Sequence, residues 1–405
     1  MKIIERPIYL SRITRQLNRG MMLILVGQRR VGKSFLLKAT SDWLVQHRPN
    51  ANILFIDKDF NDFSFLKTAE DLYSFAVEKL PLGEENYLLI DEVQDISDFE
   101  TALRGLYAEN RCQIIVTGSN AYMFSAEIAT KFSGRYIEVP VRALDYDEFL
   151  EFHDLDDSHE SLIKFIQFGG MPGLANYKFD EIPEIKAYLQ GVYNTIVLKD
   201  IVAREQIRNI AFLENLLQFV ADNVGRLVSV NSIVKYLKSQ GGKVTNDLTS
   251  RYIKAICNAF IADETVRYDI HGKRIFDLIS KYYFSDIGLR NCIVNEIPNV
   301  FGSIELVIEN IVRNHLLVLG FDVYVGVLPS GEIDFVAKKG EQTIYIQVAY
   351  KLSGKETIKR EFGNLEAIKD NYPKYVVTME DITGSLKEYP GIHHIHLRDF
   401  LKTSF

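Results

Sequence analysis

The sequence predicts an α/β protein built as three units in a row, and three observations predict it. Short apolar runs separated by helix-length stretches recur between Met21 and Val141, the alternation that a doubly wound parallel sheet requires. A mainly helical stretch follows from about Leu144 to Val300 and ends on two β-rich runs, after which helix and strand alternate again from about Glu305. At roughly 150 residues per domain, 405 residues hold about 2.7 domains. The expected boundaries are 1–143, 144–300 and 301–405.

The strands expected in the first unit are Met22 to Val26, Asn52 to Asp57, Tyr87 to Ile90, Gln113 to Thr117 and Tyr136 to Val139. Each is short, apolar and bounded by polar residues or glycine, as buried parallel strands are. The middle unit carries one break, Gly169, Gly170, Met171, Pro172 and Gly173. Two amphipathic helices, Ser229 to Leu237 and Asn246 to Phe260, are joined through Gly241 and Gly242. The strands Thr265 to Asp269 and Arg274 to Phe284 follow, with His271 and Gly272 as their turn. Helix, turn, helix and hairpin is the plan of a winged helix, expected over about 205–290. The third unit reads as a helix from Glu305 to Leu319, strands Val323 to Val327, Glu332 to Ala337 and Thr343 to Val348, a helix near Ile358 to Lys369, and strand Lys374 to Thr378.

Gly27, Gln28, Arg29, Arg30, Val31, Gly32, Lys33 and Ser34 fit G-x-x-x-x-G-K-[ST] between the first strand and the helical run Phe35 to Leu44. Glycines let main-chain N–H groups wrap phosphates, and the helix adds its positive end. Lys33 is expected at the β- and γ-phosphates and the Ser34 hydroxyl on magnesium. The competing reading is a structural glycine turn; the strand before the loop and the helix after it argue against that.

The strand Tyr87 to Ile90 runs into Asp91 and Glu92. Asp91 is a candidate for the magnesium shell, and Glu92 for orienting or deprotonating the attacking water. Gln113 to Thr117 runs into Gly118, Ser119 and Asn120, which would turn polar groups toward the γ-phosphate, or serve turn chemistry alone. Arg135 could neutralise transition-state charge, within the chain or across a subunit interface; a surface pairing with Glu138 or an Asp is the alternative.

The order phosphate loop, Leu-Leu-Ile-Asp-Glu-Val-Gln, Ile-Val-Thr-Gly-Ser-Asn and Ser-Gly-Arg, then Leu144, Asp145, Tyr146, Asp147, Glu148 and Phe149, resembles the prokaryotic AAA+ family ATPases that carry a C-terminal domain of unknown function. The resemblance extends over most of the chain, including Gly-Gly-Met-Pro-Gly and Lys199-Asp200. It implies a AAA+ core followed by a winged helix and a restriction-endonuclease-like fold. It also implies that Asn120 or Ser119 is sensor 1 and Arg135 a candidate arginine finger.

Between Arg226 and Lys281 there are ten basic residues and five acidic ones, a net of +5, which leaves −12 for the rest of a chain whose net charge is −7. That contrast fits a DNA-contacting module in an acidic protein. Lys243, Arg251 and Lys254 fall at the start and on the body of the second helix and Lys273 and Arg274 at the wing tip, where phosphates would be met. A purely structural module is the alternative. In the last unit, Glu309, Asp334 and Gln347 have the spacing of a nuclease pattern in which they would hold magnesium and a lysine two residues on would activate water. That position is Ala349, and Lys351 lies two residues beyond it, about 6 to 7 Å along the strand. A degenerate site with nuclease activity lost is therefore expected.

Lys and Arg number 47 against 54 Asp and Glu, which speaks against a uniformly basic nucleic-acid coat protein. With 47% hydrophobic and 25% charged residues the composition is that of a globular chain. Cys112, Cys257 and Cys292 are too few and scattered for a disulfide framework or a zinc site, which suits a reducing compartment. No apolar run approaches the roughly 18 residues of a membrane span, and no apolar segment follows Lys2, Glu5 and Arg6, so a cytoplasmic location without a signal peptide is expected. The expected activity is ATP hydrolysis with Mg2+. The expected partners are ATP, DNA through the winged helix, and further copies of the chain if Arg135 acts across an interface. A nucleotide-switched DNA- or protein-binding scaffold and an ATP-gated nuclease are the alternatives.

Overall fold

The three central strands of the first unit's five-stranded sheet are buried along nearly their whole length, so they are apolar at most positions rather than at alternate ones, while the two edge strands are half-exposed. The computed structural model of the chain describes residues 5–119, 132, 134–239, 244–329, 331–352, 354–381 and 388–405, without the side chains of 276–278. It divides into two compact units, residues 1–142 with 258–260, and residues 143–257 with 261–405.

The first unit contains, in order, α1 (Pro7–Gln16), β1 (Met22–Val26), α2 (Lys33–His47), β2 (Asn52–Asp57), α3 (Ala69–Lys79), β3 (Asn86–Asp91), α4 (Phe99–Ala108), β4 (Gln113–Gly118) and β5 (Tyr136–Pro140). All five strands run parallel, in the order β2-β3-β4-β1-β5. On one face Ile24, Val26, Leu88, Ile90, Ile114 and Val116 pack against Leu72 and Ala76 of α3 and Leu103 and Leu106 of α4. Thr68 starts α3 with a capping box, its hydroxyl accepting from the Asp71 N–H while the Asp71 carboxylate accepts from the Thr68 N–H. Parallel pairing delivers the carboxyl ends of β1, β3 and β4 to one edge of the sheet, where ligand sites of such sheets form.

The second unit begins with the helices α5 (Tyr146–His153), α6 (His159–Phe168), α7 (Ile182–Thr195) and α8 (Ile210–Asp222), with a π-helical stretch, Ile196–Ala203, continuing α7. The short strand β6 (Leu227–Val228) precedes α9 (Val230–Ser239), α10 (Asn246–Asn258), β7 (Ala262–Asp269), β8 (Arg274–Phe284) and α11 (Ile287–Ile293). Then come α12 (Ile304–Val318), β9 (Asp322–Leu328), β10 (Gly331–Lys339), β11 (Gln342–Val348), α13 (Lys355–Glu366), β12 (Lys374–Thr378), β13 (Ile392–His396) and α14 (Leu397–Phe400).

One sheet runs through this whole unit, in the order β13-β12-β11-β10-β9-β7-β8-β6. Strands from both sides of residue 300 thus belong to one sheet. A hairpin edge presents unpaired N–H and C=O groups, and here β7 answers that by pairing in parallel with β9, Arg267 to Asp269 against Val325 to Val327. The strand β13 was not expected, because Ile-His-His-Ile-His does not read as apolar; His394 and His396 are nevertheless buried. Among the described residues no helix is long and apolar enough to cross a membrane.

Candidate nucleotide-binding site

The phosphate loop leaves the end of β1 at Gly27 and enters α2 at Lys33. Gly27 has φ of 150°, and a Cβ there would lie 2.0 Å from the Val141 carbonyl oxygen, so only glycine lets the loop start so close to the chain after β5. Gly32, at φ of 97°, caps α2 without a side chain, so the first-turn N–H groups take no side-chain acceptor. Lys33 is buried and folds back over the loop, its Nζ donating to the carbonyls of Gly27 and Gln28 at 2.9 Å each. Arg6 Nη1 donates to the Val31 carbonyl at 2.9 Å, and Arg29 Nη2 reaches Ser119 Oγ at 3.4 Å. The Gln28 side chain is buried, with no hydrogen-bond partner for its Oε1 or Nε2.

Asp91 ends β3 almost fully buried. Its Oδ1 accepts from Thr117 Oγ1 at 2.5 Å, and the same Thr117 oxygen accepts from the Glu92 N–H at 2.9 Å. Burial pushes the Asp91 carboxyl up, against hydrogen bonds from Ser34 and Thr117, while Glu92 and Asp57 add to the rise. Glu92 takes the left-handed conformation, φ 51°, and its Oε2 accepts from Gln94 Nε2. Thr117 therefore ties together the two acids that the sequence singles out. Thr117 as their bridge, Gln94 as a partner of Glu92, and Arg6 were not read from the sequence. The Asp-Glu-x-Gln spacing was the one available signal, for Gln94.

Asn120 lies outside the described residues. Arg135 is exposed, its guanidinium over the Tyr107 ring at 5.6 Å. The register Met22 to Tyr136 sets it at the edge of the sheet where β1 begins, and the loop leaves where β1 ends. Four steps of about 3.3 Å separate the two edges by about 13 Å, beyond an arginine's reach. Arg135 and the phosphate loop thus lie at opposite edges of the sheet.

An uncharacterized protein of Haemophilus influenzae is 33% identical to this chain over 405 residues, and the match covers 98% of each. The chain belongs to that protein's family. An uncharacterized protein of Methanocaldococcus jannaschii is 26% identical over 385 residues, 91% of this chain and 82% of that one. Within the family member described here, residues 19–150 match the AAA domain family, a span that takes in β1 to β5, the phosphate loop, Asp91 and Glu92. Residues 159–299 match a domain of unknown function (DUF8612). Among solved structures, the Aeropyrum pernix ORC1 protein in complex with DNA is similar over 73% of this chain and 93% of that one, at 12% identity and a TM-score of 0.30, a likeness too slight to argue from.

In the second unit Arg251 and Lys254 lie exposed on α10, and Lys273 and Arg274 are exposed at the turn between β7 and β8; Lys243 lies outside the described residues. Arg251 Nη2 also donates to the Glu205 carbonyl at 3.1 Å. Glu309, Asp334 and Gln347 converge. Gln347 Oε1 accepts from the Asp334 N–H at 3.3 Å, and Asp334 Oδ2 from the Val348 N–H at 2.8 Å. Lys281, counted in the sequence only as part of the basic stretch, stands among them. Its Nζ lies 3.0 Å from Glu309 Oε1, 2.7 Å from Glu332 Oε1 and 3.7 Å from Asp334 Oδ1. Burial works against the Lys281 charge, but Glu309, Asp334 and Glu332 outweigh it and raise its pKa. Burial raises the Asp334 carboxyl, as does Glu309, while Lys281 opposes the rise. Among the described residues no group of three or more His, Cys, Asp or Glu is arranged to hold a metal ion.

Proposed function

We propose that the first unit binds and hydrolyses ATP with Mg2+. The observation that carries this reading is the Thr117 bridge, which draws the Asp91 carboxylate and the Glu92 backbone together while Asp91 also meets Ser34 of the phosphate loop. A hydroxyl and a carboxylate are the hard oxygen donors that magnesium takes, so Ser34 and Asp91 suit it, and the ion would neutralise phosphate charge. Lys33 exchanges its two carbonyl partners for phosphate oxygens, which makes the stronger, charge-assisted bonds. Glu92 leaves Gln94 to orient water and take its proton. Exchange of Glu92 for Gln lowers turnover by about 10²- to 10⁴-fold while ATP binding persists. Unchanged turnover in that variant removes Glu92 from the chemistry.

The hold of Gln94 on Glu92 favours a second reading, a nucleotide-switched scaffold with negligible turnover. In that case Glu92→Gln and the parent bind ATP alike, and neither releases phosphate above a Lys33→Ala blank.

Arg135 at the far edge from its own loop is suited to serve a neighbouring copy in a homo-oligomer. Mixing Arg135→Ala with Lys33→Ala then restores part of the turnover that each variant lacks alone; no recovery on mixing sinks the idea.

The helices α9 and α10 with the β7-β8 hairpin have the winged-helix plan, and the exposed Arg251, Lys254, Lys273 and Arg274 suit DNA phosphates. Each neutralised in turn should lower the salt slope of DNA binding by about one, and slopes that do not move argue for a structural module. The α12-to-β12 region, with helix, three antiparallel strands, helix and parallel strand, suits a restriction-endonuclease-like fold whose site is degenerate. Intact plasmid after incubation with Mg2+ or Mn2+ is the expected outcome, and ATP-gated cleavage would contradict it.

A further inference from the structure

The lysine among the carboxylates of the second unit bridges strands that are not neighbours. Lys281 is on β8 and Glu332 and Asp334 are on β10, with β7 and β9 between them in the sheet. Three steps of about 4.8 Å would hold flat strands about 14 Å apart, yet the ammonium touches a carboxylate across that gap. Twist and bending of the sheet, together with the length of the two side chains, bring their tips together over one face. Two irregularities supply the bend, a register shift in β7-β8 between Thr265 and Arg267 and one in β9-β10 between Ile333 and Val336. Thr265 is the register partner of Lys281 itself, so the lysine sits beside the first of these bends. The helix α12 packs on β8 and β10 and brings Glu309 to the same ammonium.

Carboxylates from a helix and a strand around one centre are the usual surroundings of a divalent cation. Here the centre is filled from within the chain. Glu309 is fixed further by the Tyr283 hydroxyl, which donates to its Oε1 at 2.5 Å, and Glu361 on α13 adds a fourth carboxylate to the electrostatic surroundings of Asp334. We propose that Lys281 is the resident cation of this cluster: its ammonium takes the position a divalent ion would hold, leaves the region metal-independent, and fastens the hairpin strand β8 to β10 and α12. Removing one partner of a buried ion cluster is costly because it strands the others, whereas removing the partners together is not. That asymmetry separates a counter-ion from a bystander.

The test uses the full chain without nucleotide, so its outcome is independent of whether the first unit hydrolyses ATP. Manganese binding is followed by electron paramagnetic resonance, and stability by thermal unfolding with EDTA or Mn2+. The parent is expected to bind no more Mn2+ than Asp334→Asn, and its Tm to be the same in EDTA and Mn2+. Lys281→Met should lower Tm by about 10 °C, and the triple variant Lys281→Met, Glu309→Gln, Asp334→Asn should recover more than half of that loss. If Lys281→Met fails to fold, a folded triple variant beside it supports the proposal equally. Mn2+ binding by the parent that Asp334→Asn removes would overturn it, as would Mn2+-dependent plasmid cleavage that Lys281→Met abolishes. So would a Lys281→Met protein as stable as the parent, or a triple variant that recovers nothing.

Discussion

Each of the two units buries a lysine in its candidate site, and the two lysines are bonded to different things. In the first unit Lys33 donates to two main-chain carbonyls, and Asp91 is held by hydroxyls. In the second, Lys281 is already surrounded by Glu309, Glu332 and Asp334. A neutral carbonyl is readily exchanged for a phosphate oxygen, because the new bond is charge-assisted. A carboxylate in a buried cluster is not, because the group left behind is a stranded charge. The same residue types thus make one centre that can accept a ligand and another that is closed, and it is the partners, rather than the residues, that decide.

The sharpest way to break this comparison is to remove each lysine and measure both units. Lys33→Ala should lower ATP turnover by at least about 10³-fold and move Tm by no more than a few degrees, since neutral main-chain carbonyls lose a donor. Lys281→Met should do the reverse, lowering Tm while turnover per folded molecule is kept. Equal losses of both properties in either variant would show that the two lysines do not differ in kind.

The acids of the two centres sharpen it further. Burial raises the Asp91 carboxyl, so its ionised form costs the fold stability at neutral pH. A carboxyl raised in the folded state lends stability that is complete below its unfolded pKa and lost as pH rises through the folded value. Asp91→Asn is neutral at every pH, so at pH 7 its Tm should equal or exceed that of the parent while Mg2+-dependent turnover falls by about 10²- to 10³-fold. A Tm clearly below the parent's at pH 7 would show that the Ser34 and Thr117 hydrogen bonds outweigh the burial.

The first centre was legible because its parts are local. The motif Gly27 to Ser34 is one loop, and Asp91 and Glu92 end one apolar strand, so spacing alone brings them forward. Thr117 was legible as a residue at the end of a strand beside Tyr87 to Ile90, but not as a bridge, since that depends on where its hydroxyl points across the β3-β4 pair. The position of Arg135 followed from the start of β5 in register with Met22, which sequence spacing does not give. Lys281 was hidden for a stronger reason. It is 28 residues from Glu309 and three strands away from Asp334 in the sheet, and two irregularities lie in the ladders between them. The same hairpin, read as the wing of a separate module, supplies strands to the sheet of the next one. Pairing of β7 with β9 is a long-range choice, made by an open edge rather than by composition.

The smallest expected effect tests whether pairing alone separates a charged buried group from a neutral one on the same helix. Glu309 and His315 are both buried on α12. Glu309 has Lys281, whereas the His315 Nδ1 has no hydrogen-bond partner and Nε2 lies 3.3 Å from the Thr403 carbonyl. Burial pushes His315 down to about 4, against the Thr403 contact, so the folded state keeps the ring neutral. A group depressed on folding lends stability that is complete above its unfolded pKa of about 6.5 and lost as pH falls toward the folded value. Over that window the shift corresponds to about 3 kcal/mol. His315→Gln keeps a donor for Thr403 and takes up no proton. Urea midpoints of parent and variant measured at pH 7 and pH 4.5 should therefore show the parent losing stability relative to the variant as pH falls. Parallel losses in the two proteins would mean that His315 finds a proton acceptor on burial, and that a charge on α12 does not need a partner such as Lys281.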